Sequence, residues 1–250
     1  MILIWLALLD GIVGATLAVA GIVAAHYGIS TPPAGFQIFL IGVFFAALGL
    51  GVSLIAGIAS IFSADLRAGF GRLVVGALLA LVVTVPSGAM VLTHQYPAIN
   101  DITTDTKNPP EFTHAQEDPA NQGRDMKYSD KLAAMQEAAP AYKDLAALKM
   151  NGSVDDVYNR ARIIAGEIKD WHLTYNDPAT HSIEGVATSM VFKFKDDFVI
   201  QVRPADGGGS LIEMRSKSRD SLLDFGANYT RIKRFFQLVQ GPPRGAPEQQ

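Results

Sequence analysis

The chain has 250 residues, of which 49% are hydrophobic and 18% charged, and its formal net charge is −3. A charge so close to neutral gives no reason to expect nucleic-acid binding, and the absence of cysteine excludes disulfides, thiolate metal sites and cysteine nucleophiles. The mean composition hides two different halves, because only Asp10, Asp65, Arg67 and Arg72 carry charge before residue 97. The first half suits lipid, and the second suits water.

Three apolar segments, residues 2–25, 35–62 and 70–93, fill residues 1–96. Each reaches the roughly 20 residues that a helix needs to cross a bilayer. A cleaved signal peptide is an alternative interpretation of the first segment, but no Lys or Arg precedes it and it is too long. We therefore predict a membrane domain of three transmembrane helices.

The basic residues of the connections predict the orientation. Arg67 and Arg72 belong to the second connection, whereas residues 26–34 hold no Lys or Arg. Cytoplasmic loops carry the excess of positive residues. This rule places the N-terminus in the cytoplasm and everything after the third helix outside it.

Small residues recur on one face of the first two segments. Gly14, Gly21, Gly42 and Gly49 lie at seven-residue spacing, and such stripes let helix backbones approach closely. They indicate either an intramolecular bundle or a homo-oligomer. Asp10, inside the first segment, is either a functional acid or a side chain that reaches the interface.

Residues 97–128, hereafter the linker, are acidic and contain prolines, with no helical or strand period. We predict an extended path. Our hypothesis is that its first part straps the domain that follows, with prolines stiffening the path, an aromatic ring filling an apolar gap, and threonines bonding to backbone or to Arg215 and Arg219. The strap residues are Asp101, Thr103, Thr104, Asp105, Pro109, Pro110 and Phe112.

Residues 129–240 predict a water-facing domain. Helices are expected over 129–139, 153–170 and 225–240, and strands over 171–175, 183–195, 198–203 and 211–219, with a tight turn at Asp196–Asp197. This order predicts an α+β fold: a three- or four-stranded antiparallel sheet with helices covering one face and the other left polar. Residues 241–250 are expected to be disordered.

Strand alternation places a set of cations on the sheet face away from the helices. They form either a solvated, ion-paired face or an anion-binding surface for a lipid headgroup, a cell-wall polymer or an acidic partner. The members are Lys193, Arg203, Arg215, Lys217 and Arg219.

Other chemistry has weak support. Asp170, His172, Asp177 and His181 are close in sequence, but their spacing matches no metal template and a strand followed by a turn explains it. Asp101 and Asp105 lack the spacing of an EF-hand calcium loop. We predict no metal, no cofactor and no catalytic residue; whether the protein is an enzyme stays open, with the pattern favouring that it is not.

Three stretches carry a family resemblance: DITTDTKNPPEF (101–112), IEGVATSMVFKFKDD (183–197) and EMRSKSRDSLLDFGANYTRIKRF (213–235). They resemble the family named domain of unknown function 1499, over roughly residues 98–240. Members occur in bacterial envelopes and plastids, and no activity is established for them. The resemblance implies an outward-facing envelope domain without an assigned reaction.

Together these patterns predict a non-catalytic protein of the bacterial inner membrane, integral to the bilayer, whose extracytoplasmic domain binds an anionic ligand or partner through the cationic face. One alternative is an envelope hydrolase or transferase that uses the Arg215–Arg219 edge with Asp101 or Asp105. Another is an accessory subunit of a membrane transport assembly.

Overall fold

The computed structural model describes residues 1–92, 96–220 and 224–241. The chain divides into two compact units, Met1–His94 with Met190–Lys193, and Gln95–Ser189 with Phe194–Gln250. The predicted disordered tail lies, from residue 242 on, outside the described residues.

The first unit contains α1 (Ile2–His26), α2 (Pro32–Ala59), the short α3 (Ala64–Ala68) and α4 (Phe70–Leu92). α1, α2 and α4 are long and apolar enough to cross a membrane, which confirms the three predicted apolar helices. Thr31 caps α2 by accepting a hydrogen bond from the Ala34 amide. Pro32 and Pro33 occupy the first turn of α2, where a missing amide proton costs nothing.

The glycine stripe lets α1 and α2 of the same chain pack closely against each other. A Cβ atom on Gly14 would lie 2.5 Å from the amide nitrogen of Ala46, and one on Gly42 would meet the amide of Ala18. Gly21 and Gly49 face the opposite helix in the same way. Because α1 and α2 cover these four glycines, the stripe belongs to the intramolecular interface and is not available to a second copy.

The second unit confirms the α+β class, with six strands rather than three or four. They are β1 (Asp101–Thr103), β2 (Leu148–Met150), β3 (Trp171–Asp177), β4 (Ser182–Thr188), β5 (Lys195–Pro204) and β6 (Ser210–Ser218). All pairs are antiparallel, in the order β1-β6-β5-β4-β3, and β2 also pairs with β6. The α-helices are α5 (Asp130–Ala138), α6 (Val154–Glu167) and α7 (Ala227–Gln240).

The predicted turn at Asp196–Asp197 is wrong. Thr188 pairs with Lys195, so the turn is the loop 189–194 and both aspartates lie in β5. Adjacent acids resemble a turn in sequence, but here each is buried beside arginine. Asp196 pairs with Arg231 of α7, and Asp197 pairs with Arg124 and Arg219.

α6 and α7 cover one face of the sheet, where Phe198, Ile200, Ile212 and Phe235 form the centre of the core. The other face, which we predicted to be polar, carries buried charged side chains and is partly covered by the linker. Phe112, Ala115 and Met126 of the linker are buried against Val199 of β5. The strap hypothesis places Phe112 in an apolar gap, but the short polar segments around it have no apolar period, so the pattern does not show the rest of this layer.

Candidate functional site

The strand register sets two rows of side chains on the linker-covered face. In one row Asp101 of β1 pairs with Lys217 of β6, which pairs with Asp197 of β5. In the next row Thr103 pairs with Arg215, and Arg215 pairs with Val199. Opposite charges therefore face each other across neighbouring strands.

A buried ion pair fastens β1 to β6. The fully buried Asp101 carboxylate accepts hydrogen bonds from Arg215 at 2.8 and 2.7 Å and from Lys217 Nζ at 2.9 Å. Arg215, 1% exposed, also donates to the Met126 carbonyl at 2.9 Å. Its guanidinium lies 4.8 Å from the centre of the Phe112 ring. Bidentate geometry and added partners are what a buried ion pair needs to offset its desolvation.

A second cluster fastens the middle of the linker. Asp197 accepts hydrogen bonds from Arg219 at 2.6 Å and from Arg124 at 2.9 Å. Arg219 also donates to Asp118 at 2.8 Å, and Arg124 donates to the Ser218 carbonyl at 2.8 Å. Residues 118 and 124 of the linker are thereby tied to β5 and β6.

Glu184 of β4 holds the linker at a third point. This fully buried carboxylate accepts hydrogen bonds from the amides of Thr113 at 2.7 Å, His114 at 3.0 Å and Ala115 at 2.7 Å. The Thr113 hydroxyl adds another at 2.6 Å. Successive amides around one anion form a backbone nest. The nest is filled by the chain's own carboxylate.

These contacts correct the expectation of an exposed cationic face. Arg215 and Lys217 are buried and Arg219 is nearly so, because the linker and β5 provide carboxylates that neutralise them. Arg203 pairs with Glu213 but remains about one third exposed. Lys193 lies in the loop between β4 and β5. Arg215 also borders a hollow of about 480 Å³ beside Tyr128, and anion binding there stays a prediction.

The strap residues follow the sheet edge. The Thr104 amide donates to the Met214 carbonyl, and the Met214 amide donates to the Thr104 hydroxyl, both at 3.0 Å. The Thr103 amide donates to Gln136 of α5 at 3.0 Å. The Asp105 carboxylate caps the amides of residues 107 and 108. Pro110 and Phe112 are buried, and Pro109 is half-buried.

A polar cleft of about 610 Å³ opens where the linker passes over β3, β4 and β5. Its floor carries Tyr175, whose ring stacks on that of His114 with centroids 3.4 Å apart and planes 10° from parallel. Arg203 is the predicted cation that lines it. The other lining residues are Lys107, Asn108, Pro109, Glu111, Thr113, Asp177, Thr180, Ser182 and Gln201.

Two ionisable groups of the cleft floor have shifted pKa values. Loss of hydration and the Asp177 carboxylate raise the pKa of the Tyr175 hydroxyl. Hydrogen bonds from the Ala179 amide and the Thr180 hydroxyl lower the pKa of Asp177. At neutral pH the floor therefore presents a hydroxyl donor beside a carboxylate acceptor.

Within the described residues, no three His, Asp or Glu side chains come together as metal ligands. The four residues considered for a metal have no shared site. His181 pairs with Asp155, Asp170 approaches Arg234, and Asp177 accepts from Thr180.

The pattern missed several buried polar residues that organise the two faces of the sheet: Glu184, Asp197, Arg124 and Gln136 beside the linker, and Asp196 and Asn228 beside α7. Asn228 of α7 is buried and joins Ser216 and Ser218 of β6. A signal existed for Glu184, because an acid at a buried strand position requires a partner. Its partners are backbone amides of the linker, and amides carry no side-chain signal.

The ion pairs of the linker predict that the folded domain loses stability at acidic pH. The Ala120 amide and Arg219 hold the pKa of Asp118 below its ordinary value of 3.8. A carboxyl whose pKa is lowered by folding stabilises the fold above its unfolded pKa and loses that contribution as the pH falls through the folded pKa. We expect the free energy of unfolding to fall as the pH drops below 3.8, measured by denaturation of the intact protein. Asp118→Asn should flatten this dependence; an unchanged slope would contradict the assignment.

Comparison with known proteins gives one match. The model of a family described as "Protein of unknown function (DUF1499)" matches residues 101–239. No curated protein and no solved structure matches the chain. The matched range starts at Asp101 of the buried ion pair and extends into α7, so it includes all six strands.

Proposed function

Since the chain belongs to the DUF1499 family, whose description assigns no function, we propose that it is a membrane-anchored binding protein of the bacterial inner membrane that carries out no reaction of its own. Three helices able to cross a bilayer support the anchor. Arg67 in α3 and Arg72 at the start of α4 support a cytoplasmic position for that connection. With three crossings, the second unit is then extracytoplasmic.

The cleft is the proposed ligand site, and the ligand is a cell-wall glycan. The observation that carries this proposal is the flat His114–Tyr175 stack among hydrogen-bonding groups of both kinds. Ring faces suit the apolar face of a sugar, while amides, carboxylates and cations at the rim suit hydroxyl, amide and carboxylate groups. Lys107 and Arg203 are the groups available to an anionic part of the polymer.

A catalytic role for the Arg215–Arg219 edge has less support. The Asp101 carboxylate is fully buried and accepts hydrogen bonds from Arg215 and Lys217. A general base must come within hydrogen-bond reach of the proton that it takes. Reaching a substrate would require Asp101 to leave two cations unpaired in the interior. Asp105 is likewise engaged, since it caps the amides of residues 107 and 108.

The test is calorimetric titration of the full-length protein in nanodiscs with soluble peptidoglycan fragments. We expect saturable binding that Tyr175→Ala weakens about tenfold, which corresponds to about 1.4 kcal/mol of lost stacking and hydrogen bonding. Tyr27→Ala, at an exposed tyrosine of the first unit, is the matched control and should bind as the wild type does. Absence of binding by the wild type, or equal binding by both variants, would refute the glycan site.

A further inference from the structure

The loop between β4 and β5, residues 189–194, exposes apolar side chains at its tip, and Met190–Lys193 belong to the first compact unit although the loop joins two strands of the sheet. Met190 is 77% exposed and Val191 is 47% exposed. Among the described residues after 92, Ile163 is the other large hydrophobic residue with comparable exposure, at 51%, and it lies singly on α6. Two adjacent exposed hydrophobic residues at a loop tip mark a contact surface more strongly than one isolated residue.

The loop has a defined shape. The Ser189 amide donates to the Phe194 carbonyl at 2.8 Å, and the Phe194 amide donates to the Ser189 hydroxyl at 2.9 Å. These bonds close the base of the loop, and Lys193 turns the chain with a positive φ of 61°. Met190 and Val191 are therefore held at the tip by the backbone.

The charges around the tip are basic. Lys193 follows the apolar pair within the loop, and the exposed Lys195 begins β5. An apolar tip with neighbouring lysines fits the interface of a bilayer, where the hydrophobic atoms enter the acyl boundary and the ammonium groups meet lipid phosphates. A bilayer is also the surface to which α1, α2 and α4 would fix this chain.

We propose that the tip formed by Met190 and Val191 enters the lipid interface, with Lys193 and Lys195 contacting anionic headgroups. β4 and β5 flank this tip in the chain, so the insertion holds that end of the β4–β5 hairpin at the lipid interface. The inference does not depend on the ligand of the cleft, because the tip residues do not line it.

The absence of cysteine permits a direct test. Met190→Cys, labelled with an environment-sensitive fluorophore in the full-length protein, is reconstituted into vesicles of phosphatidylcholine and phosphatidylglycerol containing lipid-borne quenchers. The label at position 190 should show blue-shifted emission and lose fluorescence to the lipid quencher. Labels at Ile163→Cys, an exposed apolar position on a helix, and at Asp206→Cys, in the exposed β5–β6 loop, should instead be quenched by aqueous iodide.

Equal iodide quenching at positions 190 and 206 would overturn the proposal. Protection at 190 that depends on protein concentration, without quenching by lipid, would overturn it in favour of a second copy of the chain. In the labelled protein, Lys193→Glu with Lys195→Glu should reduce lipid quenching in anionic vesicles. An unchanged signal in that variant would refute the headgroup contact.

Discussion

Asp101→Asn is expected to lower the free energy of unfolding of the second unit by about 3–5 kcal/mol, the cost of removing one partner of a buried ion pair. The substitution keeps the size of the side chain and leaves both Arg215 and Lys217 without their shared carboxylate. The measurement is denaturation of the intact protein in detergent, followed by Trp171, which packs against Phe198 with ring centroids 4.2 Å apart. A Trp5→Phe background removes the other tryptophan.

The chain offers a matched control for this substitution. Asp144 also accepts hydrogen bonds from a lysine and a second side chain, Lys233 and Tyr229, but it is largely exposed. Exposed ion pairs contribute about 0–1 kcal/mol, so Asp144→Asn should change the free energy of unfolding little. Equal effects of the two substitutions would show that burial is not what gives the Asp101 pair its strength.

A compensated variant separates the charge from the packing. Asp101→Leu with Arg215→Met and Lys217→Met replaces the buried charges by apolar groups of similar volume, a change that is often neutral or stabilising. We expect this variant to recover most of the stability lost in Asp101→Asn. If it remains as unstable as the single variant, the linker depends on contacts other than the ion pair.

Gly14→Val is expected to destabilise the pairing of α1 with α2 by about 3 kcal/mol, the upper part of the usual range for overpacking. The new Cβ would lie 2.5 Å from the amide nitrogen and 2.8 Å from the Cα of Ala46. Backbone atoms in a helix cannot move aside as a flexible side chain does, so the helices must separate. Unfolding by denaturing detergent, followed by Trp5 in a Trp171→Phe background, measures the effect.

Gly51→Val is the control for Gly14→Val, because nothing lies within 4 Å of a Cβ atom at Gly51 of α2. Both substitutions introduce the same β-branched side chain into a long apolar helix. The control should leave the midpoint close to that of the wild type. A similar loss in both variants would point to helix propensity rather than to close packing as the cause.

The three apolar helices follow from the length and hydropathy of their segments. The α+β class and the strands of the sheet centre follow from periodicity, because each amphipathic element buries one apolar face. The face of the predicted cations also follows from alternation: Arg215 and Lys217 share one side of β6 with Glu213, and Arg219 directly follows the strand. Their burial could not be predicted in the same way. It depends on Asp101, Asp118 and Arg124 of the linker, whose positions are set by hydrogen bonds between residues distant in sequence.

The cleft was missed for a related reason. Tyr175 and Gln201 belong to strands that were predicted, but the wall of the cleft is the linker, held by Glu184 through backbone amides. Because the amides belong to the backbone, the side chains of the residues that bind the carboxylate give no indication of the contact in the sequence. The strap hypothesis named Asp101 and Phe112 from charge and aromatic character, whereas Glu184 and Asp197 lay unremarked inside predicted strands and turns.

The pairing of β1 with β6 sets an order of assembly during synthesis. Asp101 precedes Arg215 by 114 positions. β1, the first strand of the domain to be synthesised, can therefore pair only after β6, the last strand, has been made. At translation rates of about 5–20 residues per second, the interval is on the order of ten seconds. During that time an acidic segment beside a membrane helix has no sheet to join. The β1 edge of the sheet therefore closes only after β6 has been made, and in a chain interrupted before β6 the Asp101 carboxylate has neither Arg215 nor Lys217 to pair with.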